Sequence, residues 1–136
     1  VRHLKPVAVV LLIFTIGCAG NLRDNVRKSA LVTADAALGI DQLERQLWAL
    51  RPPGYTPEKH LQATKAIILM LTAVRTYERA ARAWPANLTM PVTIPQAMAD
   101  ALSAIVTVQR IFEGIPAADS LLLALKNTSA AIGGQQ

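Results

Sequence analysis

Three proline-bearing breaks constrain this chain more than any other feature. They are Arg51-Pro52-Pro53-Gly54, the stretch 85–95 with Pro85, Pro91 and Pro95, and Gly114-Ile115-Pro116. Proline removes a backbone donor and clashes with the preceding turn, so no helix runs unbroken across any of them. Between the breaks, apolar residues recur at three- and four-residue steps, the spacing of one helix face. Alanine and leucine dominate, β-branched runs are short, and only 4% of residues are aromatic, a composition that favours helices. The expected fold is all-α: an antiparallel four-helix bundle, or two packed helical hairpins.

The first helix is expected from about Asp24 to Leu50, with Val26, Ala30, Leu31, Ala34, Ala37, Leu38, Leu43, Leu47 and Leu50 on its apolar face. Asp35, Asp41, Glu44 and Arg45 mostly fall off that face. Gly39 weakens the middle by roughly 1 kcal/mol relative to alanine. The second helix opens on Thr56-Pro57-Glu58, an N-cap followed by a proline at the first helical position and an acid near the positive helix end. Its stripe is Leu61, Thr64, Ile67, Ile68, Leu71, Val74, Tyr77, Ala81 and Trp84. The short loop before it makes the first two helices an antiparallel hairpin, in which Trp48 meets Tyr55 at one end and Trp84 lies at the other.

Residues 85–95 read as a rigid, extended connection and a candidate hinge between two hairpins. The third helix is expected near Thr93, with Thr93 and Gln96 at capping-box spacing. Its stripe is Met98, Ala101, Leu102, Ile105, Val108 and Phe112. The fourth is expected from about Ala117 to Ala131, ahead of a fraying tail, 133–136. These last two helices carry few charges, which places them at the centre of a bundle, or against lipid or a partner.

Ahead of the helices lies a segment of another kind. Arg2, His3 and Lys5 precede the uncharged run Val7-Ala8-Val9-Val10-Leu11-Leu12-Ile13-Phe14-Thr15-Ile16-Gly17-Cys18. A basic start, a short apolar core and small residues at its end are the layout of a secretory signal peptide. The run falls short of the ~20 residues that a membrane-crossing helix needs. Thr15-Ile16-Gly17-Cys18 resembles the lipobox of bacterial lipoproteins, with Thr15 where that family usually carries leucine. The resemblance covers the export segment alone. It implies cleavage before Cys18, lipidation of that cysteine with two or three palmitate-like acyl chains, and, with Ala19 rather than aspartate next, the periplasmic face of the outer membrane. More than one acyl chain, at about 0.8 kcal/mol per buried methylene, gives a stable anchor. The expected organisation is a signal peptide over 1–17, a lipidated cysteine and spacer over 18–23, and a helical domain over 24–132.

Catalytic constellations are not apparent. With the signal removed, the remaining histidine is His60, expected at the surface; no metal-ligand spacing, Gly-x-Ser-x-Gly turn or phosphate loop accompanies it. No cofactor, metal or enzymatic activity is therefore expected. Formal net charge is +5, or about +3 without Arg2 and Lys5. Low charge, few aromatics and the export signal argue against nucleic acid as a partner. Arg75, Arg79 and Arg82 share a helix face, interrupted by Glu78 and extended by Lys59 and Lys65. That ridge is a candidate contact for anionic lipid or envelope polymers. The function expected is that of a small membrane-anchored envelope lipoprotein with a structural or protein-interaction role. The alternatives are a carrier of an apolar ligand between the helices of the last hairpin, or a lipoprotein of phage or prophage origin.

Overall fold

The computed structural model describes the backbone of residues 19–134 and the side chains of residues 22–134. The apolar run that ends at Cys18, with the export and lipidation expected of it, lies outside the described residues. Helices α1 (Ala19–Leu50), α2 (Pro57–Arg82), α3 (Thr93–Phe112) and α4 (Asp119–Gly133) follow one another, with a short 3-10 turn at Pro116–Ala118 leading into α4. Each helix packs against its neighbours in sequence, and α4 closes against α1. The described residues form an antiparallel four-helix bundle.

The spacing of buried residues explains why four separate helices make one core. In α1 the seam runs Val26, Ala30, Thr33, Ala37, Ile40, Glu44 and Leu47. In α2 it runs Ala63, Ile67, Met70, Val74, Tyr77 and Ala81, and continues to Trp84. In α3 it runs Ile94, Met98, Ala101, Ile105, Val108 and Phe112. In α4 it runs Leu121, Leu125, Thr128 and Ile132. Steps of three and four alternate strictly, a 3.5-residue repeat rather than 3.6. Such a repeat keeps each seam facing its partners only if the helices wind around one another with a left-handed twist, near 20° in bundles of this kind.

The seam differs from the expected stripes in an instructive way. Leu31, Leu38 and Leu50 of α1 and Leu61 and Ile68 of α2 are exposed, while Ala30, Ala37 and Ala63 are fully buried. Small residues at the seam let neighbouring helices approach closely, so register rather than bulk decides which face turns inward.

Several local expectations change. α1 begins at Ala19, so residues 19–23, expected as a spacer, form its first turns. The Thr56 side chain accepts from the Lys59 N–H, as a cap should. The capping box at α3 is absent: Thr93 is already helical, Val92 occupies the cap position without a side-chain bond, and the Gln96 amide donates to Asp100. The connection 83–92 is folded, not extended. Leu88 N–H donates to the Pro85 carbonyl, Ile94 N–H donates to the Pro91 carbonyl, and the Trp84 indole N–H donates to the Leu88 carbonyl at 2.8 Å. Because α2 and α3 pack along each other, this connection is a corner of a closed bundle, not a hinge between hairpins. Likewise α3 and α4 occupy two corners rather than the centre. α4 runs from Asp119 to Gly133, two residues beyond the expected end at Ala131.

Buried polar groups find partners inside the fold. Thr33 and Thr128 donate to the carbonyls of Ser29 and Ala124, one turn back, at 2.7 Å each. Ser29 donates to Ala131 at 2.8 Å and so satisfies a carbonyl in the last turn of α4, where intrahelical donors run out. The Arg23 guanidinium donates to the Trp84 carbonyl at 2.7 Å and ties the start of α1 to the end of α2.

Candidate functional site

The most chemically distinctive cluster sits where α1 turns into α2. Leu50 ends α1, and Arg51 follows with φ 50, a left-handed conformation rare for residues with a side chain. Its N–H donates to the Trp48 carbonyl, and its guanidinium carbon lies 3.9 Å from the Trp48 ring centroid. The cation–π contact contributes about 0.5–1 kcal/mol toward holding that backbone. Pro52, Pro53 and Gly54 (φ 86) complete the turn and drop Tyr55 into the core at 4% exposure.

Tyr55 lands on Glu44. Its hydroxyl donates to Glu44 Oε1 at 2.6 Å, and His60 Nδ1 lies 2.5 Å from the same oxygen. Glu44 is 3% exposed, at a seam position of α1. A buried carboxylate without partners costs several kcal/mol, and the phenol and imidazole supply those partners. The His60 imidazole stacks in parallel on Trp48, 4.1 Å between centroids, and Tyr55 packs against Trp48 edge-on at 5.8 Å and against Phe112 at 5.5 Å. The contact expected between Trp48 and Tyr55 is therefore present. The expected surface histidine is not: His60 is part-buried, and its position on the first turn of α2 brings it under α1.

Burial pushes the Tyr55 phenol above its ordinary range, and the hydrogen bond to Glu44 and its charge push it further. At neutral pH Tyr55 therefore keeps its proton and donates it to Glu44. Tyr77, whose hydroxyl lies 3.5 Å from the Val26 carbonyl, is also raised by burial, with Ser29 acting in the opposite direction. The carboxylate–imidazole pair resembles the base half of a hydrolytic triad in its geometry alone. The hydroxyl of Thr64 donates to the His60 carbonyl rather than to the ring, and the Glu44 oxygen is shared with a phenol. This arrangement joins α1, the turn and α2 through one buried acceptor. Among the described residues, no group of three or more His, Cys, Asp or Glu side chains could hold a metal ion.

A second feature is a groove of about 500 Å³ between α1 and α4, with Val32, Ala36, Gly39 and Leu43 on one side and Ala124 and Ala131 on the other. Gln42, Gln46 and Asn127 supply its polar groups. This groove lies between the first and last helices, where Gly39 and small alanines leave room.

Arg75, Arg79 and Arg82 are all exposed, as expected. Arg82 pairs with Glu78 at 2.7 Å. Lys59 lies at the far end of α2, so the ridge is not continuous along the helix. The arginines' neighbours are instead at the start of α1, where Arg27, Lys28 and Leu31 share a shallow groove with Glu78 and Arg82. No helix among the described residues is long and apolar enough to cross a membrane. Neither a protein-family model, nor a curated protein, nor a solved structure matches this chain.

Proposed function

We propose that this chain is a small lipid-anchored protein of the bacterial envelope, held at the periplasmic face of the outer membrane, whose helical bundle has a structural or partner-holding role without catalysis. The reading is carried by one observation: a basic start and an uncharged apolar run that ends in Thr15-Ile16-Gly17-Cys18, a lipobox-like sequence. The bundle is compatible with it. α1 starts at Ala19, so the folded body follows the proposed attachment point without a long tether and stays near the bilayer. Its most distinctive polar cluster, Glu44 with Tyr55 and His60, spends its hydrogen bonds on joining two helices. Metabolic labelling with a fatty acid tests the reading. Label should enter the native chain and be absent from Cys18→Ser; label retained in the variant rejects Cys18 as the attachment point.

The groove between α1 and α4 supports a second reading, a carrier of an apolar ligand. Its volume falls within the range of small-molecule sites, and its walls are mostly aliphatic. Gly39→Leu places a side chain in that space. Loss of binding of a fluorescent fatty acid in Gly39→Leu, with the fold retained, would favour the carrier; no binding by the native chain rejects it.

A further inference from the structure

The bundle's charge is distributed unevenly between its two ends. Antiparallel packing gathers the start of α1, the end of α2, the 83–92 connection, the start of α3 and the end of α4 at one end. Residues 22–28, 75–99 and 127–134 together hold six cations (Arg23, Arg27, Lys28, Arg75, Arg79 and Arg82) and two carboxylates (Asp24 and Glu78). The remaining described residues hold six cations and seven carboxylates. The whole net positive charge of the described chain therefore sits at this end.

Two further observations fall at the same place. Leu88 and Val92, on the connection, are 62% and 86% exposed. The Trp84 indole holds the Leu88 carbonyl, and Trp84 itself is buried, so Leu88 is presented from a pinned turn. The chain also enters α1 at Ala19 from this end. Exposed apolar side chains on the same end as an excess of lysine and arginine are the composition of a surface that lies in a lipid headgroup layer, the aliphatic groups reaching toward the acyl boundary and the cations meeting phosphate.

We propose that this end of the bundle docks on a bilayer surface bearing anionic headgroups, with Lys28, Arg75 and Arg79 on phosphates and Leu88 and Val92 at the interface. This stands the bundle upright and turns the Glu44–Tyr55–His60 end outward. The inference rests on the envelope-lipoprotein reading only for what brings the chain to a membrane. The docking itself follows from charge and exposure.

Hydrogen exchange on the purified full-length chain, mixed with two kinds of vesicle, tests it. One is phosphatidylcholine; the other contains roughly one-third phosphatidylglycerol. Backbone amides within 85–92 should exchange at least about tenfold more slowly on the anionic vesicles, because each lysine or arginine near such a surface adds appreciably to its affinity. The difference should collapse at high ionic strength, where the screening length falls to about 3 Å. Lys28→Glu with Arg75→Glu and Arg79→Glu, all exposed positions, should abolish it in a chain whose far-ultraviolet circular dichroism still shows the helical fold. Leu88→Ser with Val92→Ser should reduce it in a chain whose charges are intact. Equal exchange on both vesicle types overturns the proposal, as does protection of the opposite end around Gly54 and Tyr55. Release of the chain from neutral vesicles would count against the lipid anchor alone, because the anionic preference is read separately.

Discussion

Replacing Glu44 tests whether the buried carboxylate is the junction of the first hairpin. Glu44→Leu keeps an apolar side chain at the seam but removes the acceptor shared by Tyr55 and His60. The Tyr55 hydroxyl, on a residue 4% exposed, then has no partner from Glu44. Stranding a buried hydroxyl costs about 1–3 kcal/mol, and hydrogen bonds to a charged group contribute about 1.5–3 kcal/mol. These terms overlap, since the stranded donor is part of the lost bond, so the expected loss is about 3 kcal/mol. For a domain of this size that lowers the melting midpoint by roughly 10 °C. Tyr55→Phe alone removes one bond and leaves His60 in place, a loss of about 1–2 kcal/mol. With both changes no buried hydroxyl is stranded, so the double variant should fall short of the summed single losses by at least about 1 kcal/mol. Urea unfolding of the full-length chain in detergent, followed by far-ultraviolet circular dichroism, measures all three. A loss under about 0.5 kcal/mol for Glu44→Leu, or additive losses, would refute the reasoning.

Other expectations can be checked by the same unfolding measurements. Above pH 10, stability should fall, with a slope that approaches about 1.4 kcal/mol per pH unit for Tyr55 and a further loss from Tyr77. The sign follows from the raised phenols of Tyr55 and Tyr77: the unfolded chain releases these protons near pH 10 while the folded chain retains them. Comparison with Tyr55→Phe/Tyr77→Phe isolates this slope from that of the lysines. Ile105→Ala, at a fully buried seam position of α3, should cost about 2–5 kcal/mol, whereas Leu69→Ala, 66% exposed on α2, should change stability by less than about 0.5 kcal/mol. Gly39→Ala should stabilise the chain by about 0.5–1 kcal/mol, because the position is helical and a Cβ there meets nothing within 4 Å; Gly114→Ala, at φ 82, should destabilise it.

Much of the bundle is legible in the residues. The prolines and Gly114 mark the turns, Thr56-Pro57 marks the start of α2, and the three- and four-residue steps mark the helices. The inward faces are less legible because size and register disagree. Leu31, Leu38 and Leu61 outrank Ala30, Ala37 and Ala63 on any hydrophobic scale, yet the alanines occupy the strict 3.5-residue seam and are the ones buried. Reading register first separates Ala30 and Ala37 from Leu31 and Leu38, with which they share the broad apolar stripe, and adds Ala63, which the stripe of the second helix omits.

It would also have found Glu44, which stands four residues after Ile40 and three before Leu47, in step with the seam. A charge in that register signals a buried partner elsewhere in the chain. What remains hidden from local pattern is the partner. The meeting of residues 44, 55 and 60 depends on how Arg51 and Gly54 fold the turn, and Arg51 adopts a backbone conformation that its type does not announce. The clustering of Arg23, Arg27 and Lys28 with Arg75, Arg79 and Arg82 is hidden for the same reason. The two sets lie about fifty residues apart and come together only through antiparallel packing.

The central claim is that the chain is exported, cut before its cysteine and fixed to lipid there. The mass of the N-terminal peptide, from protein purified out of the envelope of an expressing bacterium, tests it most directly. The account predicts a peptide that begins at Cys18 and carries acyl chains. A chain that retains residues 1–17, bears no acyl group and fractionates with the cytosol would contradict it.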